Sequence, residues 1–289
     1  MRNILLTGAN GYIGRHVLKE LVSRGEKVTA IVKNRPVVVI PQVTYCEQDL
    51  FDNKKIMELL SQPYDLCIHL AWENGFIHNH PSHMESLSAH FKFIETVLSA
   101  GVKHVAVMGS MHEVGYFEGE INEHTPDNPL SLYGISKVAL KKSLLKYIEQ
   151  NYPQTTFQWL RGYYVLGDDK HNNSVFSKML IAAESGKKMF PFTSGKHAFD
   201  FIEIEELAKQ IVDITSQKAV TGIIECCSGH PVSLGKMAEG FIVKNQLGIK
   251  LEYGAFAEPV YESSAIWGST KKLEEAHKIL ENYNNCMNI

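Results

Sequence analysis

The sequence contains little cysteine, no long apolar run and no excess of positive charge, and each absence excludes a class of protein. Its five cysteines are dispersed among 289 residues, without a Cys-x-x-Cys pair or the Cys and His spacing of structural zinc, which is typical of a reducing compartment. No stretch approaches the ~20 apolar residues of a membrane helix. Lys and Arg number 29 against 32 Asp and Glu, so there is no cationic surplus for a nucleic acid or an anionic membrane.

The residues that are present describe a globular chain with a small, soluble partner. Hydrophobic residues make up 44% of the sequence and charged residues 21%, a composition that supports a sizeable core and excludes disorder. Near the N-terminus the apolar run extends only from Ile4 to Leu6, which is too short for the core of a secretory signal. We therefore expect a cytoplasmic protein that binds neither membrane nor nucleic acid.

Short aliphatic or β-branched runs alternate with longer amphipathic segments over residues 1–165. The runs lie at 3–7, 28–32, 65–70, 102–108 and 157–160, and helical apolar spacing lies at 12–24, 53–60, 84–100 and 133–151. Alternating β and α elements with right-handed crossovers imply a parallel sheet covered by helices. The sequence thus predicts the α/β class and a doubly wound, parallel-sheet Rossmann fold.

The spacing of apolar residues changes after Gly167. A polar segment at 168–173 precedes a helical segment at 174–184 and a short apolar run at 199–204. We interpret this part as a smaller C-terminal lobe that binds substrate across a cleft. The predicted division is a dinucleotide-binding domain of residues 1–165, joined by 199–216, and a substrate-binding lobe of 166–198 and 217–289.

The first predicted strand continues directly into the glycine-rich segment TGANGYIG, residues 7–14, where the first helix begins. Glycines at this spacing allow a tight turn, a close approach to a pyrophosphate, and packing of the helix on the sheet, while the helix N-terminus supplies amides and a positive dipole end. The alternative is a glycine-rich turn without a ligand. The residues expected to bind a dinucleotide are Gly8, Asn10, Gly11, Tyr12, Ile13 and Gly14.

The second predicted strand ends in two cations, Lys33 and Arg35, where an NAD-specific site carries an acid that bonds the adenosine ribose. Arg and Lys form charge-assisted bonds with phosphate, so the pair matches a ribose 2′-phosphate. This favours NADP(H) as cofactor, with NAD(H) possible. The alternative is that both side chains are solvated loop charges.

Ser110, Tyr133 and Lys137 carry the third signal. Tyr133 and Lys137 are four residues apart at the start of a predicted helix, so both project from one face. A phenol with a pKa near ~10 needs a nearby cation to act as an acid–base group at neutral pH, and Lys137 supplies one. Ser110 follows a predicted core strand, at the sheet edge where ligands bind. With the glycine turn in the same chain, these three residues are the predicted catalytic group.

Short motifs along nearly the whole chain point to one family. They are TGANGYIG at 7–14, Asp49-Leu50, HLAW at 69–72, YGISK at 133–137, LRGYYVLG at 160–167, FDFIEIEE at 199–206 and the stretch 222–234. Together they resemble the extended short-chain dehydrogenase/reductase superfamily, which includes NAD-dependent epimerases and dehydratases. Within it the sequence is most similar to nucleotide-sugar 4-ketoreductases.

The resemblance implies further roles for named residues. Lys137 is expected to bond the nicotinamide ribose, Tyr133 to donate or accept the proton, and Ser110 to be its hydrogen-bonding partner. The residues that the resemblance assigns to the adenine and the rest of the cofactor are Asp49, Leu50, Leu70, Ala71 and Trp72. It also implies a homodimer, formed through the helix at 84–100 and the helix that bears Tyr133.

Departures from the family pattern narrow the range of reactions that we expect. Met111 and His112 follow Ser110 where the resembled 4,6-dehydratases carry Asp and Glu, which argues against dehydration and favours simple keto reduction. His112 acts either as an acid–base group, since a histidine pKa lies near neutrality, or as a hydrogen-bonding partner. Phe199 stands where the family has a diphosphate-binding arginine, and Tyr164 where it has an asparagine. The expected substrate contacts are Met111, His112 and Tyr164, and the cations that can replace the arginine are Lys187, Lys188, Lys196 and His197.

Three histidines, His78, His80 and His83, lie close together in a polar segment. Zinc is one interpretation, but no Cys or acidic ligand accompanies them at a regular spacing. We therefore expect a mobile, solvated active-site loop and no metal.

The sequence predicts an NADPH-dependent reductase of the C4 ketone of a nucleotide-linked 4-keto-6-deoxyhexose, with a dTDP-sugar as the expected substrate, in deoxysugar biosynthesis. One alternative is a nucleotide-sugar 4-epimerase with tightly bound NAD, against which Lys33 counts. The other is a non-catalytic NADP(H)-binding sensor, against which the complete set of Ser110, Tyr133 and Lys137 counts.

Overall fold

Parallel strands dominate the structure, a computed structural model that describes residues 1–167, 174–259 and 262–287. The predicted polar segment at 168–173 lies outside the described residues. The strands are Asn3–Thr7 (β1), Lys27–Val32 (β2), Val43–Glu47 (β3), Leu66–His69 (β4), His104–Ser110 (β5), Gly119–Ile121 (β6), Thr156–Gly162 (β7), Tyr164–Leu166 (β8), Met189–Pro191 (β9), Ala198–Glu203 (β10), Gly222–Cys226 (β11), Pro231–Ser233 (β12), Lys250–Glu252 (β13) and Ala265–Gly268 (β14).

Helices connect most of these strands. They are Gly14–Ser23 (α1), Asn53–Leu59 (α2), Ser82–Glu85 (α3), Leu87–Ser99 (α4), Leu132–Asn151 (α5), Val175–Glu184 (α6), Ile204–Thr215 (α7), Leu234–Lys244 (α8) and Lys271–Met287 (α9), with a 3-10 turn at Met111–Glu113. Helices α1 and α4 end where the sequence places a glycine. Gly25 and Gly101 adopt φ of +76° and +92°, a conformation that other residues enter at a cost.

The large sheet has the strand order β11-β7-β5-β4-β1-β2-β3, and every neighbouring pair is parallel. From β1 the chain builds outward through β2 and β3, and then returns to the other side of β1 with β4. The order therefore reverses between β1 and β4, which opens a crevice at their carboxyl ends. The predicted α/β class and doubly wound parallel sheet are confirmed.

Helices cover both faces of this sheet. Helices α1 and α7 pack together on one face, and α4 and α5 pack together on the other. Each face has its own apolar core: Val17, Leu21 and Ile211 belong to the first, and Phe93 and Leu144 to the second. The central strands β1, β4, β5 and β7 are buried on both sides almost throughout, as their apolar runs predict, whereas the edge strand β3 is largely accessible. Among the described residues, no helix has the length and apolar character required to cross a membrane.

A smaller set of strands lies beside the large sheet. Strands β12, β10, β14 and β6 pair in that order, β8 pairs with β10, and β13 pairs with β9. Strand β11 differs from the predicted division: residues 217–289 are assigned to the substrate lobe, but Gly222–Cys226 pairs with β7 in the large sheet. Its residues Ile224 and Cys226 are fully buried there, which a seventh, covered strand requires. The remaining boundaries of the two lobes stay a prediction.

Candidate active site

The glycine turn fits closely between β1 and β4. A Cβ on Gly8, which has φ of +73°, would lie 2.7 Å from the backbone nitrogen of Ala71, and one on Gly14 would lie 1.9 Å from the carbonyl oxygen of Gly8. Helix α1 begins at Gly14, its N-cap residue Ile13 provides no side-chain hydrogen bond, and its first turn carries no acid. Its amides and positive dipole end therefore face the crevice, an arrangement that fits a dinucleotide pyrophosphate.

Neighbouring side chains fix this turn. Asn10 donates to the carbonyl oxygen of Asn34 over 2.7 Å, and the Tyr12 hydroxyl donates to that of Gly167 over 2.6 Å. The Ala71 amide donates to the Thr7 hydroxyl over 3.2 Å, and Leu70 bonds Thr7 through the backbone. The predicted cofactor residues of the first and fourth strands thus converge at one edge of the sheet.

The cations after β2 are exposed. Lys33 Nζ lies 3.2 Å from a carboxylate oxygen of Glu73, whose side chain is also exposed, and Arg35 is exposed nearby in sequence. Asp49 accepts a hydrogen bond from the Phe51 amide, and Leu50 packs against the core. Sequence reasoning missed Glu73, because its partner is forty residues away and no local pattern joins the two.

Ser110 ends β5 and begins the 3-10 turn. Its hydroxyl accepts a hydrogen bond from the His112 amide over 3.3 Å, and its own amide donates to Glu113 Oε1 over 2.8 Å. This reciprocal arrangement is a capping box, which holds the serine in one orientation. Sequence reasoning missed Glu113, although the spacing Ser-x-x-Glu is the signal that identifies it.

Tyr133 and Lys137 lie in the first turns of α5, whose N-terminus is capped by Ser131. The Ser110 side chain lies near enough to the Tyr133 phenol to oppose the rise in its pKa. Lys137 Nζ donates to the carbonyl oxygen of Met108 over 2.7 Å and lies 5.8 Å from the centre of the Tyr133 ring. The structure therefore brings the three predicted catalytic residues together.

Burial sets the protonation of this group. It raises the pKa of Tyr133 to about 12, despite the opposing effect of Ser110. Burial also lowers the pKa of Lys137 to about 7, against the attraction of Glu113. At neutral pH the phenol is therefore protonated and able to donate, while the lysine is close to its own titration point.

Of the three predicted substrate contacts, His112 and Tyr164 lie close to each other, and Met111 lies in the core. His112 is half-buried, with its ring 4.2 Å from that of His78 and 6.1 Å from that of Tyr133. Burial, followed by the influence of His78, lowers the pKa of His112 to about 3, so the imidazole is neutral and suits hydrogen bonding better than proton transfer at pH 7. Tyr164 lies 6.3 Å from His112 on the same side, whereas Met111 is buried in the apolar core.

Phe199 forms part of an aromatic wall instead of a diphosphate contact. Its ring lies 4.7 Å from that of Tyr164. His197 faces two carboxylates, Glu258 and Glu262, each 3.7 Å from its Nδ1, so it is engaged within the lobe. These three residues are also a group whose ligand atoms are close enough to hold a metal ion. The lysines that can replace the arginine, Lys187, Lys188 and Lys196, are exposed.

The histidine loop differs from the expected mobile, solvated loop. The carbonyl oxygen of His78 accepts the Tyr133 amide over 2.8 Å, and Asn79 accepts the Leu132 amide, so the loop holds the start of α5. His83 is 1% exposed and accepts a hydrogen bond from Trp72 Nε1 over 3.0 Å. The expectation of a solvated loop fails because the loop has partners on α5 and in the segment after β4, and the sequence pattern does not show these contacts.

A buried ionic network lies behind Ser110. Glu113 is fully buried and accepts from Trp159 over 2.8 Å, from Lys141 over 2.7 Å and from Arg161 over 3.4 Å. Arg161 also donates to Glu225 over 2.8 Å. Burial raises the pKa of Glu225 to about 7. The 3-10 turn is thus joined to β7 and β11 through its glutamate.

The chain resembles known proteins along most of its length. Residues 4–226 match the NAD dependent epimerase/dehydratase family. The chain is 40% identical over 271 residues to dTDP-6-deoxy-L-talose 4-dehydrogenase (NAD(+)) of Aggregatibacter actinomycetemcomitans, a match that covers 92% of this chain and 99% of the relative.

Two solved structures share the fold. The UDP-N-acetylglucosamine 4-epimerase of Methanobrevibacter ruminantium M1 superposes with a TM-score of 0.80 at 21% identity, over 95% of this chain and 91% of that one. The dTDP-glucose 4,6-dehydratase of Streptomyces venezuelae, solved with NAD bound, superposes with a TM-score of 0.79 at 15% identity, over 94% and 90%. At these identities the likeness concerns the fold alone.

Proposed function

The chain belongs to the NAD-dependent epimerase/dehydratase family of the extended short-chain dehydrogenase/reductase superfamily, and we propose that it reduces the C4 ketone of a nucleotide-linked 4-keto-6-deoxyhexose. The family makes it an NAD(P)-dependent enzyme of nucleotide-sugar chemistry. We propose a dTDP-sugar as substrate, because the relative that is 40% identical is named for a dTDP-6-deoxysugar.

One observation supports the proposal above all others. The acid–base residues are all present, whereas the Asp and Glu with which the resembled 4,6-dehydratases eliminate water are missing. Ser110, Tyr133 and Lys137 converge at the crevice, whereas the two positions after Ser110 hold a core methionine and a neutral histidine. Neither Met111 nor His112 supplies the paired carboxylic acid chemistry that removal of water from a sugar needs. Reduction of an existing ketone needs only a hydride and one proton.

Each of the three side chains has its own role in this reaction. The Ser110 hydroxyl holds the ketone oxygen, and Tyr133 donates its phenolic proton to that oxygen as the alkoxide develops. Lys137 stabilises the phenolate that remains, because its ammonium lies beside the ring. The glycine turn would hold NAD(P)H, which would supply the hydride when bound.

We propose that the cofactor is preferentially NADP(H). The support is the pair of exposed cations, Lys33 and Arg35, at the end of β2. The name of the 40% identical relative carries NAD(+), so this is a point at which the two proteins are proposed to differ. Glu73 opposes the preference, because its carboxylate competes with a 2′-phosphate for Lys33.

We also propose a homodimer through α4 and α5. The outer side of these helices, together with α3, carries an apolar groove lined by Met84, Leu87, Phe91, Leu140 and Tyr147. Met84 is 43% exposed, and grooves of this kind commonly mark an interface. Light scattering at several protein concentrations measures the mass of the particle directly.

The experiment that tests the function follows absorbance of NADPH, and separately of NADH, with dTDP-4-keto-6-deoxyglucose, alone and after treatment with a 3,5-epimerase. Consumption in either mixture is the expected result, and the ratio of the two cofactors tests Lys33 and Arg35. Tyr133→Phe is the control: it keeps the ring but removes the proton, so turnover should fall by about 10²–10⁴-fold with NADPH binding retained. Absence of consumption with every sugar, while NADPH binds, contradicts the proposal.

A further inference from the structure

Trp72 occupies a position in the crevice that the reduction itself leaves unexplained. Its indole ring follows β4 and is fixed on three sides: it stacks on His90 with ring centres 4.4 Å apart and planes within 12°, it donates from Nε1 to His83, and its edge meets the Tyr133 ring at 6.2 Å. The Lys137 side chain lies over the Trp72 ring, with its Nζ 3.7 Å from the ring centre.

We propose that Trp72 is a positioning residue, whose ring face holds the Lys137 ammonium in the charged form and in place beside Tyr133. This inference rests on the proposed function for its kinetic consequence, but its geometry does not depend on the identity of the substrate. An indole carries negative potential on its faces, so it attracts a cation placed over its centre. A desolvated cation gains more from that contact than a solvated one.

The surroundings of Lys137 make this contact important. Lys137 is 3% exposed, and within the described ranges no carboxylate lies at ion-pair distance from its Nζ. One carbonyl oxygen, that of Met108, accepts a hydrogen bond from it. An ammonium has three protons to donate, so the ring face supplies a second favourable partner where water has been removed.

Charged and titratable groups face Lys137 from several elements. They are His69 on β4, His83 on α3, His90 on α4, Glu113 on the 3-10 turn and Tyr133 on its own helix. Burial lowers the pKa of all three histidines, that of His90 to about 3, so they are neutral near pH 7. Glu113 acts on the lysine only at a distance, because its oxygens are bonded to Lys141, Trp159 and Ser110.

One aromatic stack and two hydrogen bonds anchor the Trp72 ring beneath the Lys137 ammonium. His90 is 3% exposed and its ring is held by His69, whose Nε2 lies 3.0 Å from His90 Nδ1. His69 in turn bonds the Thr7 hydroxyl over 2.8 Å. The chain of contacts runs from β1 through His69 and His90 to Trp72, so the ring that supports Lys137 is anchored in the strand that precedes the glycine turn.

The first test detects the contact between Trp72 and Lys137 by NMR, without any substrate. The protein has three tryptophans, so a proton–nitrogen spectrum of 15N-labelled protein shows three indole signals, of which Trp72→Phe identifies one by its loss. We expect the Trp72 signal to shift with an inflection near pH 7, where Lys137 titrates, and the inflection to vanish in Lys137→Met. A Trp72 signal that is flat from pH 6 to 9, or that still titrates in Lys137→Met, overturns the inference.

The second test reads catalysis. Turnover needs charged Lys137, so kcat should fall as pH rises through the pKa of the lysine. Trp72→Leu should move this alkaline limb to lower pH by about one unit, and Trp72→Phe, which keeps a weaker ring face, by about half as much. The matched control is Phe157→Leu, which removes a ring from the same core, where Phe157 packs against Trp159. It should leave the limb in place.

The outcomes distinguish the positioning role of Trp72 from the proposed keto reduction. If Trp72→Leu and Trp72→Phe keep the alkaline limb of the unaltered enzyme and differ from it only in the size of kcat, the tryptophan is merely structural and the inference is wrong. If the unaltered enzyme turns over none of the sugars but the indole signal titrates with Lys137, the proposed function fails and the positioning role stands.

Discussion

Lys137 and Lys141 lie one turn apart on α5 and are almost equally buried, but their surroundings are opposite. Lys141, 1% exposed, donates to Glu113 over 2.7 Å and to Asp127 over 2.6 Å. Lys137, 3% exposed, meets a carbonyl oxygen and the face of Trp72. One lysine is enclosed by carboxylates and the other by aromatic and neutral groups.

The difference shows how one helix serves both structure and chemistry. A buried ammonium between two carboxylates has its charge compensated, and removing it leaves those carboxylates uncompensated. A buried ammonium without a carboxylate carries the full cost of desolvation, which lowers the pKa of Lys137 to about 7. A group poised there responds to the charge that develops on Tyr133, whereas a fully paired lysine does not.

Replacing each lysine by methionine should give the largest effects, of different kinds. Lys137→Met should reduce kcat by about 10²–10⁴-fold without lowering the free energy of unfolding at neutral pH, because it removes a buried charge that has no salt-bridge partner. Lys141→Met should lower the free energy of unfolding by about 3–5 kcal/mol, because Glu113 and Asp127 lose their shortest ion pairs and keep only Arg161 and Lys142, at 3.4 Å or more. Urea unfolding and steady-state kinetics measure the two.

Retention of full kcat by Lys137→Met, or an unfolding free energy of Lys141→Met equal to that of the unaltered protein, would contradict this division. Lys142→Met is the control on the same helix. Its side chain is 66% exposed and lies 3.4 Å from Asp127. An ion pair this exposed contributes little to stability, so kcat and the free energy of unfolding should both stay within error of the unaltered protein.

The predictability of these features from sequence follows from how local their signals are. The glycine turn and the Tyr133–Lys137 pair are fixed by residues a few positions apart, so periodicity and spacing predicted both. The surroundings of Lys137 depend on Trp72 and His90, which reach it from other elements, and no spacing rule links them. The pairing of β11 with β7 was not predictable for the same reason, since a short apolar strand carries no mark of the sheet that it joins.

The glutamate between the two lysines offers a sharper test. Glu113→Gln keeps the shape of the side chain but replaces one acceptor oxygen by an amide, which must then face Lys141 and Arg161 or Trp159 and Ser110. We expect the free energy of unfolding to fall by about 1.5–3 kcal/mol, the worth of a buried hydrogen bond with a charged group. Urea unfolding measures it.

The same variant has a kinetic consequence. Glu113 raises the pKa of Lys137 through its charge, so Glu113→Gln should move the alkaline limb of kcat to lower pH, as loss of Trp72 does but without touching the ring. Glu113→Asp keeps the charge and serves as the control: it should destabilise the turn while leaving the limb in place. A limb that moves equally in both variants would assign the effect to geometry instead of charge.

The smallest expected effect is on the pH dependence of stability. Burial lowers the pKa of Lys137 to about 7 in the folded protein, below its ordinary value of 10.5, so between these values the unfolded chain binds one more proton than the folded one. Stability therefore rises with pH in this window, by up to about 1.4 kcal/mol per unit. The contribution is absent in Lys137→Met.

Other groups restrict the range in which this slope is visible. The buried histidines contribute below pH 6.5, and Glu225, whose pKa burial raises to about 7, contributes with the opposite sign between 4.5 and 7. Above about pH 8.5 the buried thiols of Cys67 and Cys226, whose pKa burial raises, remove stability as the unfolded chain loses their protons. Urea unfolding from pH 7 to 8.5 should therefore show the unaltered protein gaining stability relative to Lys137→Met as pH rises. Parallel curves would mean that Lys137 is charged throughout and as well compensated as Lys141.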